Sequence, residues 1–210
     1  MKKFLVLVCF ASVLCLSAVT YGQQQPAHKG YFGVGGSYIA EDVDLASVSL
    51  YGAVYEPDFD DTAGINVKLG GYITEYLSLE MNFDYLFESS WSETQYVYYG
   101  SIPVTCQMSA EVWTLMLAGK LFVAPGSLRP FLTAGWGLMR LDLDEKISIP
   151  GAAISSSDNE TDMCTKLGVG VDYFIDDNKS LGLEVAYVLG HGDLDEIRYF
   201  DYTLGFAYHF

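Results

Sequence analysis

Few side chains in this 210-residue chain have types and spacings that could do chemistry. The histidines are His28, His191 and His209, and His191 stands just ahead of Asp193 and Asp195. Together with a hydroxyl from Ser155, Ser156 or Ser157 these would supply the parts of a nucleophile–base–acid relay. No His-x-Ser or comparable short motif accompanies them, so no catalytic residue is assigned and the chain is not expected to be an enzyme. Asp58, Asp60 and Asp61 offer oxygen ligands for a divalent cation, but they lack EF-hand spacing, and a solvated acidic surface is the plainer reading. The cysteines, Cys9, Cys15, Cys106 and Cys164, form no Cys-x-x-Cys and have no His close by to complete a zinc site. No metal or cofactor is expected.

The elements that carry these groups are clearest at the chain end. From Phe200 to Phe210 bulky apolar residues alternate with small or polar ones, with Phe200, Tyr202, Leu204, Phe206, Tyr208 and Phe210 sharing one face. A strand with so large an apolar face suits lipid better than a soluble core. At the other end, Lys2 and Lys3 precede an uncharged run, Phe4 to Leu16, and a small-residue stretch to Gly22. That run is too short to span a bilayer and reads as a cleaved signal peptide over residues 1–22, with cleavage after Gly22 or after Ala18. Residues 23–29 then form a short periplasmic segment, and Cys9 and Cys15 leave with the signal.

Half of the residues are hydrophobic and 18% are charged, yet no long apolar run follows the signal. Apolar residues spread over alternate positions are the mark of membrane strands. Eight alternating segments can be drawn, at 30–40, 62–73, 76–87, 107–123, 128–142, 162–175, 180–190 and 198–210, each long enough to cross the apolar layer. The connections run long, short, long, short, which places both termini on the periplasmic side. The expected fold is all-β: an eight-stranded antiparallel up-and-down transmembrane barrel over residues 30–210, with short periplasmic turns and long extracellular loops at 41–61, 88–106 and 143–161.

Parity turns every mid-strand charge away from the lipid. Lys68, Lys120, Arg129 and Lys166 face the lumen with Glu80, Asp84, Asp172, Glu184 and Asp201, and in so narrow a space they must pair. Aromatics fall where two headgroup belts should lie, Phe32, Tyr173, Tyr208 and Phe210 on the inner side and Tyr38, Tyr85, Phe87, Trp113, Tyr187 and Phe200 on the outer. Trp91, Tyr96, Tyr98 and Tyr99 cluster in the second loop as candidates for surface contact. Cys106 and Cys164, left after cleavage in an oxidising compartment, are two strands apart. They could bridge if the second and third loops fold together, and otherwise remain free thiols.

Thr203, Gly205, Tyr208 and Phe210 read polar-x-Gly-x-x-aromatic-x-aromatic, which resembles the C-terminal assembly signal of bacterial outer-membrane barrels. The chain resembles the OmpA, OmpX and opacity-protein group, and the likeness covers nearly all of the mature sequence. It implies a Gram-negative cell outer membrane location and the barrel assembly machinery as a partner. It also implies contact with outer-membrane lipids and lipopolysaccharide. Because nothing follows Phe210, the peptidoglycan-binding domain of larger members is not expected. The net charge of −16, concentrated in the loops, argues against nucleic acid and against direct docking on anionic lipid phosphates. The reading is a non-enzymatic outer-membrane barrel with a closed lumen, whose outside loops meet an extracellular partner that the sequence does not identify. The alternatives are a narrow passive pore and a lipid A-modifying hydrolase.

Overall fold

The computed structural model describes residues 29–41, 48–50, 53–55, 61–97 and 102–210. The signal peptide, most of the segment before the barrel, and Tyr98 and Tyr99 lie outside these residues, as do Asp42, Asp44, Glu56, Asp58 and Asp60. The strands are β1 (Gly30–Glu41), β2 (Val48–Leu50), β3 (Ala53–Tyr55), β4 (Thr62–Tyr72) and β5 (Leu77–Val97), followed by β6 (Ile102–Phe122), β7 (Leu128–Ile149), β8 (Ala152–Asp176), β9 (Lys179–Gly190) and β10 (Arg198–His209). β2 and β3 pair only with each other, while the other eight form a closed antiparallel ring that β1 and β10 seal.

The register sets the shape. Starting at Glu41 and stepping through Tyr199, Val188, Lys166, Gly135, Ala118, Glu80 and Gly70, the pairing closes on Tyr31, ten residues from the start. A shear of ten over eight strands corresponds to a tilt of about 40°. The outward face is apolar and open to its surroundings, with Leu117 at 61% and Leu204 at 64% exposure, whereas Lys166 and Glu80 inside stand at 0% and 1%. In water such a surface would be untenable, and in lipid it is the solvated one.

Two of the expected long loops are strand. β5 and β6 continue to Val97 and from Ile102, and β7 and β8 meet at a tight turn, Pro150-Gly151, where Gly151 has φ +89°. Segments 88–97, 102–106 and 143–161 therefore form hairpins that rise beyond the apolar wall and join through the pairing of Thr105 with Ser148. Above the membrane neither face meets lipid, so the apolar alternation that marks the spanning strands vanishes while the backbone ladder goes on. A bulge between Leu86 and Ser89 shifts the β5 register there, and the alternation of β5 inverts across it.

Candidate functional site

The lumen is filled in three tiers. The floor, at the end that holds the short turns and both ends of the ring, is aromatic. Tyr31, Tyr72, Phe122, Phe131, Phe174 and His209 pack ring against ring at centroid spacings of 4.8 to 6.1 Å. His209 is buried between Ser180 Oγ, 2.8 Å from its Nε2, and Tyr72 Oη, 3.4 Å from its Nδ1. Arg129 sits among these rings, its Cζ 4.3 Å from the centre of Phe122, and donates to the Glu75 carbonyl of the β4–β5 turn. Parity assigned Arg129 to the ionic network, yet among the described residues it pairs with no carboxylate. Its charge is held by ring faces and a carbonyl, and its Nε and Nη1 have no hydrogen-bond partner.

The middle tier is the ionic network. Lys120 reaches Asp172 at 3.2 Å and Glu80 at 3.7 Å, Lys166 reaches Asp201 at 3.1 Å and Glu184 at 3.2 Å, and Lys68 reaches Glu184 at 2.6 Å. Glu80 also accepts from Tyr31 at 2.6 Å. Asp84 differs from the expectation of an ion pair: neutral donors hold it, Asn66 on one oxygen and Thr114 at 3.1 Å on the other. Five carboxylates and three lysines in one layer would be untenable unpaired, and the register brings Lys120 and Lys166 each between two acids and Lys68 against Glu184.

The roof is apolar. Ile39, Leu86, Met116, Met139, Leu141, Cys164, Val188 and Tyr199 close the lumen from the strands, and Leu194 and Ile197 fold in from the last loop. That loop is pinned by His191, whose amide donates to the Met163 carbonyl, and by Asp162, which accepts from the Asp193 amide at 3.0 Å. Between floor and roof, beside Lys68, Glu184 and Thr203, lies a cavity of about 40 Å³, room for on the order of one to three waters.

The triad suggested by the sequence is not assembled. His191 Nε2 lies 2.8 Å from Thr165 Oγ1, and Thr165 is eight residues, about 26 Å of strand, from Ser157. Cys106 and Cys164 are both free and buried. Cys164 is level with Gly137 and through it with Met116, whereas Cys106 is ten residues farther along β6, about 33 Å away, so no bridge can form. Burial, and then the carboxylates of Glu145 and Glu93, push the Cys106 thiol up. The surface aromatic cluster also separates. Trp91 lies across from Met108 and is half-buried, while Tyr96 is on the opposite face of β5 at 67% exposure.

The assembly residues lie on the seam. Phe210 closes the ring to the chain start, its carbonyl accepting from the Lys29 and Gly30 amides at 3.0 and 3.1 Å and its amide donating to Gly30 at 2.9 Å. Thr203 bonds Asp201 at 2.9 Å in the lumen, Gly205 pairs with Gly35, and Tyr208 faces outward beside Phe32.

The model of the outer membrane protein beta-barrel domain matches residues 11–210. The chain belongs to this family. Among curated proteins no relative matches. In fold it is similar to Neisserial surface protein A (12% identity, TM-score 0.55, 86% of this chain and 97% of that one). It is likewise similar to the outer membrane protein OprG from Pseudomonas aeruginosa (15%, TM-score 0.55, 90% and 99%). A third similar structure is Ail, the attachment invasion locus protein of Yersinia pestis (12%, TM-score 0.50, 87% and 99%). Sequence reasoning about this outer-membrane barrel missed its aromatic floor and apolar roof. The signal is present in the sequence, since Tyr31, Phe131, Met116 and Met139 fall on the same inward parity as the charged residues.

Proposed function

We propose that the protein is a non-enzymatic barrel of the Gram-negative outer membrane whose work is done on its extracellular side. The observation that supports this reading is the filling of the lumen by an aromatic floor, a paired ionic layer and an apolar roof, with a cavity of about 40 Å³ beside Lys68 and Glu184. A pore would need that stack to open, and the cations and anions in it are each bound to partners on other strands. What remains free is the sheet that β5, β6, β7 and β8 raise above the bilayer, with an acidic last loop beside it. This sheet supports a structural or surface-interaction role.

The test combines conductance and lipid chemistry. Purified chain in planar bilayers should give no steady conductance above the bare membrane, and overexpression should leave the lipid A mass unchanged. Steady channels would favour the pore, and a mass shift the hydrolase.

A further inference from the structure

The outward face of the raised sheet carries two rows of small polar side chains, one above the other. Ser90, Ser109, Asp144 and Ser157 are register partners across the four strands, and so are Ser92, Gln107, Lys146 and Ser155. These eight line one open groove of about 770 Å³. Between the rows run Trp91, Met108, Glu145 and Ser156, which border the groove together with Glu88 but by strand parity turn their side chains to the other face. Seven of the eight are exposed and Ser109 is half-buried, so their hydroxyl, amide, carboxylate and ammonium groups are available.

The β5 bulge builds this surface. Without the shift at Leu86/Ser89, the outward alternation of Phe83, Tyr85 and Phe87 would continue through Ser89 and Trp91. With it, Trp91 turns inward and Ser90 and Ser92 turn outward. On the inward face of the same sheet β6 is buried and apolar, with Val104, Cys106 and Met108 at 2%, 3% and 6% exposure, beside the half-buried Trp91, Glu93 and Glu145. The outward rows are thus a lattice of hydrogen-bonding groups with no apolar side chain of their own, which suits a polar ligand better than a protein hot spot.

Height identifies the ligand. The groove rises from the lipid-facing wall, four residues above the row in which Arg140 pairs with Trp113. At a 40° tilt that is about 10 Å beyond the outer belt. A glycolipid anchored in the same leaflet would hold its sugars at this level, against groups that both donate to and accept from sugar hydroxyls. We propose that this groove binds the core oligosaccharide of the outer-leaflet glycolipid. The inference rests on the membrane placement proposed above.

The experiment uses the full chain in three nanodisc preparations: phospholipid alone, phospholipid with lipopolysaccharide that carries its core sugars, and phospholipid with lipopolysaccharide truncated to lipid A. Hydrogen exchange of the amides from 88 to 92, 107 to 109, 144 to 146 and 155 to 157 should slow at least threefold with the core-bearing lipid only. Ser109→Phe with Ser157→Phe, which fills the groove, should abolish that slowing, while Ser109→Thr should keep it, with the phospholipid melting temperature unchanged in both. Equal exchange in the two lipopolysaccharide preparations would overturn the proposal, as would equal slowing by free core oligosaccharide added to phospholipid discs, which would make the ligand a soluble glycan. A chain that inserts as a folded barrel and shows neither effect sinks this inference alone. A chain that inserts into none of the three sinks the membrane reading with it.

Discussion

The ring of Tyr31 lies across the backbone of Gly70 on the neighbouring strand, and by passing over it the phenol donates to Glu80, one strand farther on, at 2.6 Å. A Cβ at Gly70 would collide with the phenol ring. Glycine here makes room for an aromatic that links three strands. The same device recurs at Gly170, where an added Cβ would strike Phe131, whose ring carries Lys120 Nζ 3.9 Å from its centre.

Gly70→Ala should therefore destabilise the barrel by about 1–3 kcal/mol through overpacking, and Tyr31→Phe by a similar amount through loss of a buried donor to a carboxylate. The two effects share a cause. In a Tyr31→Ala background the Gly70→Ala change should have little further effect, a coupling readable from urea midpoints in detergent or lipid. Additive losses would show that Gly70 serves the backbone and not the ring.

Lys120 is the most heavily engaged cation, with Asp172, Glu80 and the Phe131 ring around it. Lys120→Met leaves two buried carboxylates without their partner, and a loss of about 3–5 kcal/mol is expected. Lys179→Met, at an exposed pair with Asp176 at 3.3 Å, should change stability by less than about 1 kcal/mol. Midpoints that move equally for both would contradict an ionic core.

Where lipid bounds one side of a strand, the sequence reveals the strand plainly. Parity over Leu79, Met81 and Phe83 against Glu80, Asn82 and Asp84 assigns each face correctly, because a charge facing lipid costs about 2–4 kcal/mol at the midplane. Above the bilayer that penalty ends. Ser155, Ser156 and Ser157 are consecutive and alike, so no period of two marks them, and the hairpins from 88 and 143 read as loops. The fate of the cysteines was hidden for the same reason: only the register of β6 against β7 and β8 reveals that Cys106 stands far above Cys164. Inside the barrel, charge drew attention to the middle tier, and the roof was hidden because Met116 and Leu141 look like any other apolar residue until parity is applied to them as well.

The thiols offer a direct check of that register. Intact mass after alkylation in denaturant without reductant should show two additions, because Cys106 and Cys164 are both free. In the folded barrel Cys164, fully enclosed in the lumen roof, should resist alkylation for as long as the barrel stays closed, and Cys106 should react slowly because its thiolate is disfavoured and shielded. An unreacted pair in denaturant would mean a bridge, and with it a different placement of the hairpins.

Closure of the ring depends on its last residue. Phe210 exchanges backbone hydrogen bonds with Gly30 and accepts a further one from Lys29, and its ring stands 59% exposed on the outward face with Tyr208 at 48%. Deleting Phe210 removes the final rung between β10 and β1 and opens two strand edges at the periplasmic end, where unpaired backbone in lipid is costly. Tyr208→Ser with Phe210→Ser keeps the rung but strips both aromatic anchors from the inner belt. Either change should leave a protease-sensitive species in place of a heat-modifiable barrel in whole cells. In purified form refolded into detergent, the double variant should still close, since its backbone bonds survive, whereas the deletion should lose stability there too. Normal insertion of both variants in cells would remove the assembly role assigned to Tyr208 and Phe210, and equal failure of both in detergent would make that role one of closure alone.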